Sequence, residues 1–166
     1  MELFLPFAEK ARRAGLVFAF ENCGCTKEEC FRMIDALEIP GWGFAWDPKN
    51  SWMHDKAERE KDPDAYFRKI AKRTNCVHVK STGSIWFADH FDPIPYEKIF
   101  RTLEEAGFNG PVSLETHNFN PELSNAEACE QVLEVVRKAW PAAAAGAQQE
   151  SCSVSAATVV RSYVAD

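Results

Sequence analysis

Apolar residues along this chain fall into short runs rich in β-branched and aromatic side chains, separated by longer stretches whose apolar positions recur every three or four residues. That alternation predicts βα units around a parallel sheet. Four runs read as strands: 16–21 (LVFAFE), 42–47 (WGFAWD), 75–80 (NCVHVK) and 111–115 (PVSLE). Each is nearly continuous in apolar character, as strands buried on both faces should be.

The intervening stretches read as helices. The first covers 6–14 and ends at Gly15. Thr26 caps a second, in which Cys30, Ile34 and Leu37 form the apolar face before Pro40 stops it. Asp62-Pro63-Asp64 opens a third, with Phe67, Ile70 and Ala71 on one side. Pro95-Tyr96 starts a fourth, whose stripe is Ile99, Leu103 and Ala106 and whose terminator is Gly107. Pro121 begins the last, which runs through Ala128, Val132, Val135 and Val136 to Trp140. Beyond it, 141–166 has no sustained hydrophobic face, which predicts a folded unit over 1–140 and a low-complexity, flexible C-terminal tail. Its alanines leave a helical continuation open.

Composition narrows the class. With 166 residues, 46% of them hydrophobic and 27% charged, the chain can bury a core of its own, and its length favours one domain. No apolar run approaches the roughly 18 residues of a spanning helix, and the start lacks a basic, then apolar, leader pattern. The expectation is a soluble, cytoplasmic protein with no membrane partner. A net charge of −6 works against a phosphate backbone, so nucleic acid is excluded as a partner. The six cysteines are expected to be free thiols in a reducing compartment. Cys23-Gly24-Cys25 with Cys30 lacks the paired C-x2-C knuckles of a structural zinc site.

The chemistry lies where the strands stop. Glu21, Asp47 and Glu115 are the last residues of three apolar runs, and His78 lies two short of the end of the fourth. Parallel α/β sheets bind ligands outside the carboxyl ends of their strands. Taken singly, a strand-end acid reads more readily as a helix cap or surface charge. Three carboxylates and one imidazole together make a divalent-metal site, and this donor set suits Mn2+, Mg2+ or Co2+ better than Zn2+.

The segments Phe20-Glu21-Asn22, Trp46-Asp47-Pro48-Lys49-Asn50, Val77-His78-Val79-Lys80 and Val112-Ser113-Leu114-Glu115 carry a family resemblance. So does Ile94-Pro95-Tyr96-Glu97-Lys98-Ile99, leading into Ala106-Gly107-Phe108-Asn109-Gly110. In order and spacing they resemble the xylose isomerase-like TIM-barrel superfamily of sugar phosphate isomerases and epimerases, over about residues 1–140. The resemblance implies an α/β fold, a partial (β/α)8 barrel of about four parallel βα units corresponding to its second half. It implies Glu21, Asp47, His78 and Glu115 as ligands of one catalytic divalent metal. It also implies Glu21 and Glu115 as the acid and base that move a proton next to a carbonyl, through an enediolate, on a small sugar, sugar phosphate or polyol-derived substrate.

Two departures stand out. Many members carry His where this chain has Asn50, which cannot relay a proton and would orient substrate at most. Four strands stand where the family has eight, so open edges and an unopposed inner face are expected, with Val17, Ala19, Phe44 and Val112 exposed. The chain is then either a fragment or half of a homo-oligomer that completes the barrel. A binding or accessory domain of the same fold is the alternative to an enzyme. An endonuclease IV-like phosphodiesterase is disfavoured by only four histidines and a net charge of −6.

Substrate contacts are expected around the rim. Period-two alternation puts Lys80 on the face of His78, and His117 on that of Glu115, where either can hold a phosphate, carboxylate or hydroxyl. Trp46, Trp52 and Trp86 lie in or beside loops after strands, where they form either the apolar wall of a sugar pocket or plain packing. The long connection 81–92 is a candidate lid.

Overall fold

The computed structural model describes residues 4–80, 94–118 and 121–140, without the side chains of 52–54. The predicted tail, the candidate lid and Trp86 lie outside the described residues. The elements run α1 (Leu5–Arg13), β1 (Ala19–Glu21), α2 (Lys27–Leu37), β2 (Gly43–Trp46), α3 (Pro48–His54), α4 (Lys56–Lys61), α5 (Pro63–Ala71), β3 (Thr74–Lys80), α6 (Tyr96–Glu105), β4 (Val112–Glu115) and α7 (Asn125–Ala139). The strands form one sheet in the order β1-β2-β3-β4, parallel throughout. This is the predicted partial barrel of βα units, with each strand followed by helix.

The register divides the strand side chains between two faces. Phe20 pairs with Phe44, Trp46 with Val77, and Val77 with Val112, so these point one way. They meet the helices: Phe44, Trp46, Val77 and Val79 are fully buried with Phe31 and Ile34 of α2, Phe67 and Ile70 of α5, Ile99, Phe100 and Leu103 of α6, and Val132 and Val136 of α7. Burial of a side chain such as Phe44 stabilises by about 1.5–3 kcal/mol. The opposite face carries Ala19, Glu21, Ala45, Cys76, His78, Ser113 and Glu115. Phe44 was expected on that exposed inner face. The register corrects this: it points to the helices and is 0% exposed, whereas Val17 before β1 is 66% exposed. Ala19, on the inner face, is half-buried, and Val112 is corrected like Phe44: it faces the helix side and packs against that core.

Capping residues account for helix features that the apolar period does not show. Helix α7 starts at Asn125 rather than Pro121, since Ser124 and Glu127 form a capping box. Helix α6 ends at Glu105; Ala106 is exposed, and Gly107 takes the positive φ that closes the turn. Helices α3 and α4 have no apolar stripe to reveal them, but Asp47 caps α3 with Pro48 in its first turn. At the amino-terminal end of the sheet, a Cβ on Gly110 would lie 1.9 Å from the Asn75 carbonyl oxygen, so only glycine fits. Among the described residues, no helix is long and apolar enough to cross a membrane.

Candidate metal centre

The carboxyl ends of the four strands bring the predicted ligands together. Glu21 Oε2 and Glu115 Oε2 each lie 3.3 Å from His78 Nδ1. Glu21, His78 and Glu115 each offer a donor atom within 4.8 Å of the other two, at half-buried positions.

Asp47 stands beside this triad rather than within that spacing. It is fully buried, and its Oδ1 accepts the Asn50 backbone N–H at 3.0 Å as the cap of α3. Its Oδ2 lies 2.7 Å from Lys80 Nζ. That contact is an ion pair without hydrogen-bond geometry, for Asp47 Oδ2 is buried with no hydrogen-bond partner. His78 Nδ1 and Glu115 Oε2 are orphaned in the same way. Buried polar atoms are rarely left without hydrogen bonds, and a divalent cation among these three would satisfy them. Two or three carboxylate oxygens with one imidazole nitrogen fit a divalent ion of the Mn2+, Mg2+ or Co2+ kind.

The surroundings tune these groups. The His78 imidazole beside it, with Lys80, holds the Glu21 carboxyl below its ordinary value despite burial. Burial pushes Asp47 up, against the pull of Lys80 and the Asn50 N–H. The side chains of Cys76 and then Glu21 push His78 up to about 10. Burial disfavours the Lys80 charge, yet Asp47, Glu115 and Glu21 outweigh it and keep Lys80 above the usual lysine range.

The remaining predicted residues divide. Asn50 reaches the site, and its Nδ2 donates to Glu21 Oε1 at 3.3 Å, so it orients a carboxylate. Lys80 is nearly buried among the acids rather than reaching outward, with Nζ 3.4 Å from both Glu21 Oε1 and Glu115 Oε1. His117 is at the rim, Nε2 3.0 Å from Glu115 Oε1, and is well exposed. Trp46 is not a pocket wall. It points to the helix side, is 0% exposed, packs 6.0 Å from the Phe67 ring and donates to Ser51 Oγ at 3.0 Å. Trp52 sits on α3, but its side chain lies outside the described residues, as does Trp86.

Sequence reasoning gave no role to Asn22 or Ser51. Asn22 is 1% exposed and bonds Asp47 through both atoms of its amide, while its Nδ2 also donates to Ser51 Oγ at 3.0 Å. The available signal was a polar amide directly after a strand-end acid, with donors and acceptor to satisfy on burial.

This chain belongs to the xylose isomerase-like TIM barrel family, which it matches over residues 2–139. Among solved structures it is similar to an L-ribulose 3-epimerase, with 16% identity and a TM-score of 0.62, over 90% of this chain and 55% of that one. It is also similar to a sugar phosphate isomerase/epimerase from Parabacteroides distasonis ATCC 8503, with 16% identity and a TM-score of 0.55, over 84% of this chain and 51% of that one. The chain therefore spans about half the length of these structures, and the likeness establishes the fold. No curated protein matches it.

Proposed function

We propose that this chain carries the metal-binding half of a sugar or sugar phosphate isomerase or epimerase, which moves a proton at a carbon next to a carbonyl. The observation behind this reading is the meeting of orphaned Asp47 Oδ2, His78 Nδ1 and Glu115 Oε2 beside Glu21 at the strand ends. Glu21, Asp47, His78 and Glu115 would hold the ion. A bound divalent cation supplies polarisation of the carbonyl and stabilises charge on the enediolate oxygens. Glu21 and Glu115, from the two outer strands, are the proposed acid and base. Glu21 is held below its ordinary value, so it is ionised at neutral pH and able to accept a proton. Asn50 fixes the orientation of that carboxylate through Glu21 Oε1. His117, exposed beside Glu115, is the proposed contact for a substrate hydroxyl or phosphate.

The experiment is solvent-deuterium incorporation into ketoses and ketose phosphates supplied with Mn2+. Glu115→Gln keeps an oxygen donor for the ion but cannot accept a proton, so incorporation should fall by orders of magnitude. Undiminished incorporation removes Glu115 from the chemistry. In calorimetry, His78→Ala should lose Mn2+ binding, and unchanged affinity refutes the ligand assignment.

The same reading extends to assembly and location. Within the described residues, β1 and β4 are each paired on one side only. A second copy is the proposed partner that completes the barrel. Sedimentation at micromolar concentration tests it: a dimer is expected, and a sharply melting monomer refutes it. The proposed compartment is the cytoplasm, in keeping with the five free cysteines among the described residues.

A further inference from the structure

Lys80 stands out on the inner face because its cation is enclosed by acids. It follows His78 by two residues on β3 and pairs in register with Glu115, so it stands beside the ligands and points the same way. Its Nζ lies 2.7 Å from Asp47 Oδ2 and 3.4 Å from Glu21 Oε1 and Glu115 Oε1. The two glutamates are thereby divided: Oε1 of each faces Lys80, and Oε2 of each faces His78 Nδ1.

We propose that Lys80 is the resident cation of this centre, offsetting part of the negative charge of Glu21, Asp47 and Glu115 in the metal-free protein, and that a divalent ion enters by displacing it from Asp47 Oδ2. The inference rests on the metal reading above and adds an exchange to it. A carboxylate as buried as Asp47 needs a counter-charge to stay ionised, and Lys80 is the ammonium in place. A dication bound to the same oxygen would meet that ammonium at close range in a poorly screened site, where like charges repel strongly. Both therefore cannot keep Asp47 Oδ2. The lysine's flexible stem lets its head withdraw while the stem stays packed. Lys80 thus lets the three acids converge before metal arrives, at the cost of weaker metal binding.

The test compares the full chain with Lys80→Met, which keeps the stem and removes the charge, and with Lys80→Arg, which keeps the charge. Mn2+ affinity is read by calorimetry, and melting is followed in EDTA and in excess Mn2+. Lys80→Met should bind Mn2+ at least about tenfold tighter than the unsubstituted chain and melt lower in EDTA, while Lys80→Arg should show neither change. If Lys80→Met is unfolded in EDTA, Mn2+ should refold it; failure to refold overturns the proposal. Equal or weaker Mn2+ binding by Lys80→Met overturns the displacement while leaving the metal site of the unsubstituted chain intact. Binding by Lys80→Met alone supports it, since the lysine then blocks entry. Absence of Mn2+ binding in every form overturns the metal reading itself, and this proposal with it.

Discussion

Asn22 and Asp47 hold each other through a two-way exchange: Asp47 N donates to Asn22 Oδ1 at 3.0 Å, and Asn22 Nδ2 donates to Asp47 O at 3.2 Å. A side-chain amide here supplies the donor and acceptor that a neighbouring strand would supply, so the pairing of β1 with β2 continues one step past the end of the ladder. The consequence is functional, because the same backbone step aims the Asp47 carboxylate and starts α3, from which Asn50 reaches Glu21.

Asn22→Ala should therefore cost roughly 2–3 kcal/mol in urea unfolding, since it strands the buried backbone N–H and carbonyl of Asp47. Asn22→Asp should not restore it, because a carboxylate can accept from Asp47 N but cannot donate to Asp47 O. An unchanged unfolding midpoint in either variant would show that the exchange carries no stability.

Much of this was legible in the residues. The four strands, their parallel order and the convergence of Glu21, His78 and Glu115 follow from apolar runs that end in chemistry-bearing side chains. Other features are set by contacts that no local pattern encodes. Trp46 and Asp47 are adjacent on one strand end, yet one faces the helices and the other the rim, and only the register tells which tryptophan is core. Helix α3 opens on the Asp47 cap and α4 carries ion pairs, neither shows an apolar stripe, and so periodicity does not reveal them. Lys80 looked like a substrate contact because its sequence neighbours do not show that three acids surround it.

The cysteines should separate by environment. Cys23 and Cys129 are exposed, whereas Cys30 is buried, lies 3.5 Å from Cys25 Sγ, and is pushed up to about 12 by burial and then by Cys25. A thiol held protonated is a poor nucleophile. Iodoacetamide at neutral pH, followed by peptide mass spectrometry, should label Cys23 and Cys129 early and Cys30 only on unfolding. Early labelling of Cys30 would contradict its placement in the core.

Acid should weaken the outer helix layer through Glu28. Burial works to raise this carboxyl, but Lys69 and Lys27 outweigh it and leave it below the ordinary 4.5. A depressed folded value means that the stabilisation is fully present above about pH 4.5 and is lost as pH falls through that lower value. Lys69, raised first of all by Glu28, adds the opposite limb, lost as pH rises through its elevated value. Melting temperature against pH should thus be flatter on both limbs in Glu28→Gln. Because Glu28 and Lys69 are largely solvent-exposed, the difference should shrink in high salt. A difference indifferent to salt would point to packing instead.

Lys27 carries the heaviest electrostatic duty outside the metal centre. Its side chain is 0% exposed, with Nζ 2.9 Å from Glu28 Oε1 and 3.6 Å from Asp55 Oδ2, bonded to Glu58, and 4.9 Å above the Tyr66 ring. These contacts tie α2 to the junction of α3 and α4 and to α5. Asp55 is itself only 4% exposed at its side chain, and its other contact there is the Tyr66 hydroxyl, which donates at 2.9 Å. Lys27→Met keeps the buried stem but leaves Asp55 without its counter-charge, so it should cost about 3–5 kcal/mol. Adding Asp55→Asn removes the stranded charge, and the double variant should be more stable than Lys27→Met alone. Because Asp55 N donates to Ser51 O at the end of α3, loosening this junction should also weaken Mn2+ binding at the far end of the same helix. Urea unfolding of the two single variants and the double variant closes the cycle. A Lys27→Met chain as stable as the original would show that Asp55 is neutral in the fold and that α2 needs no ionic tie to α4.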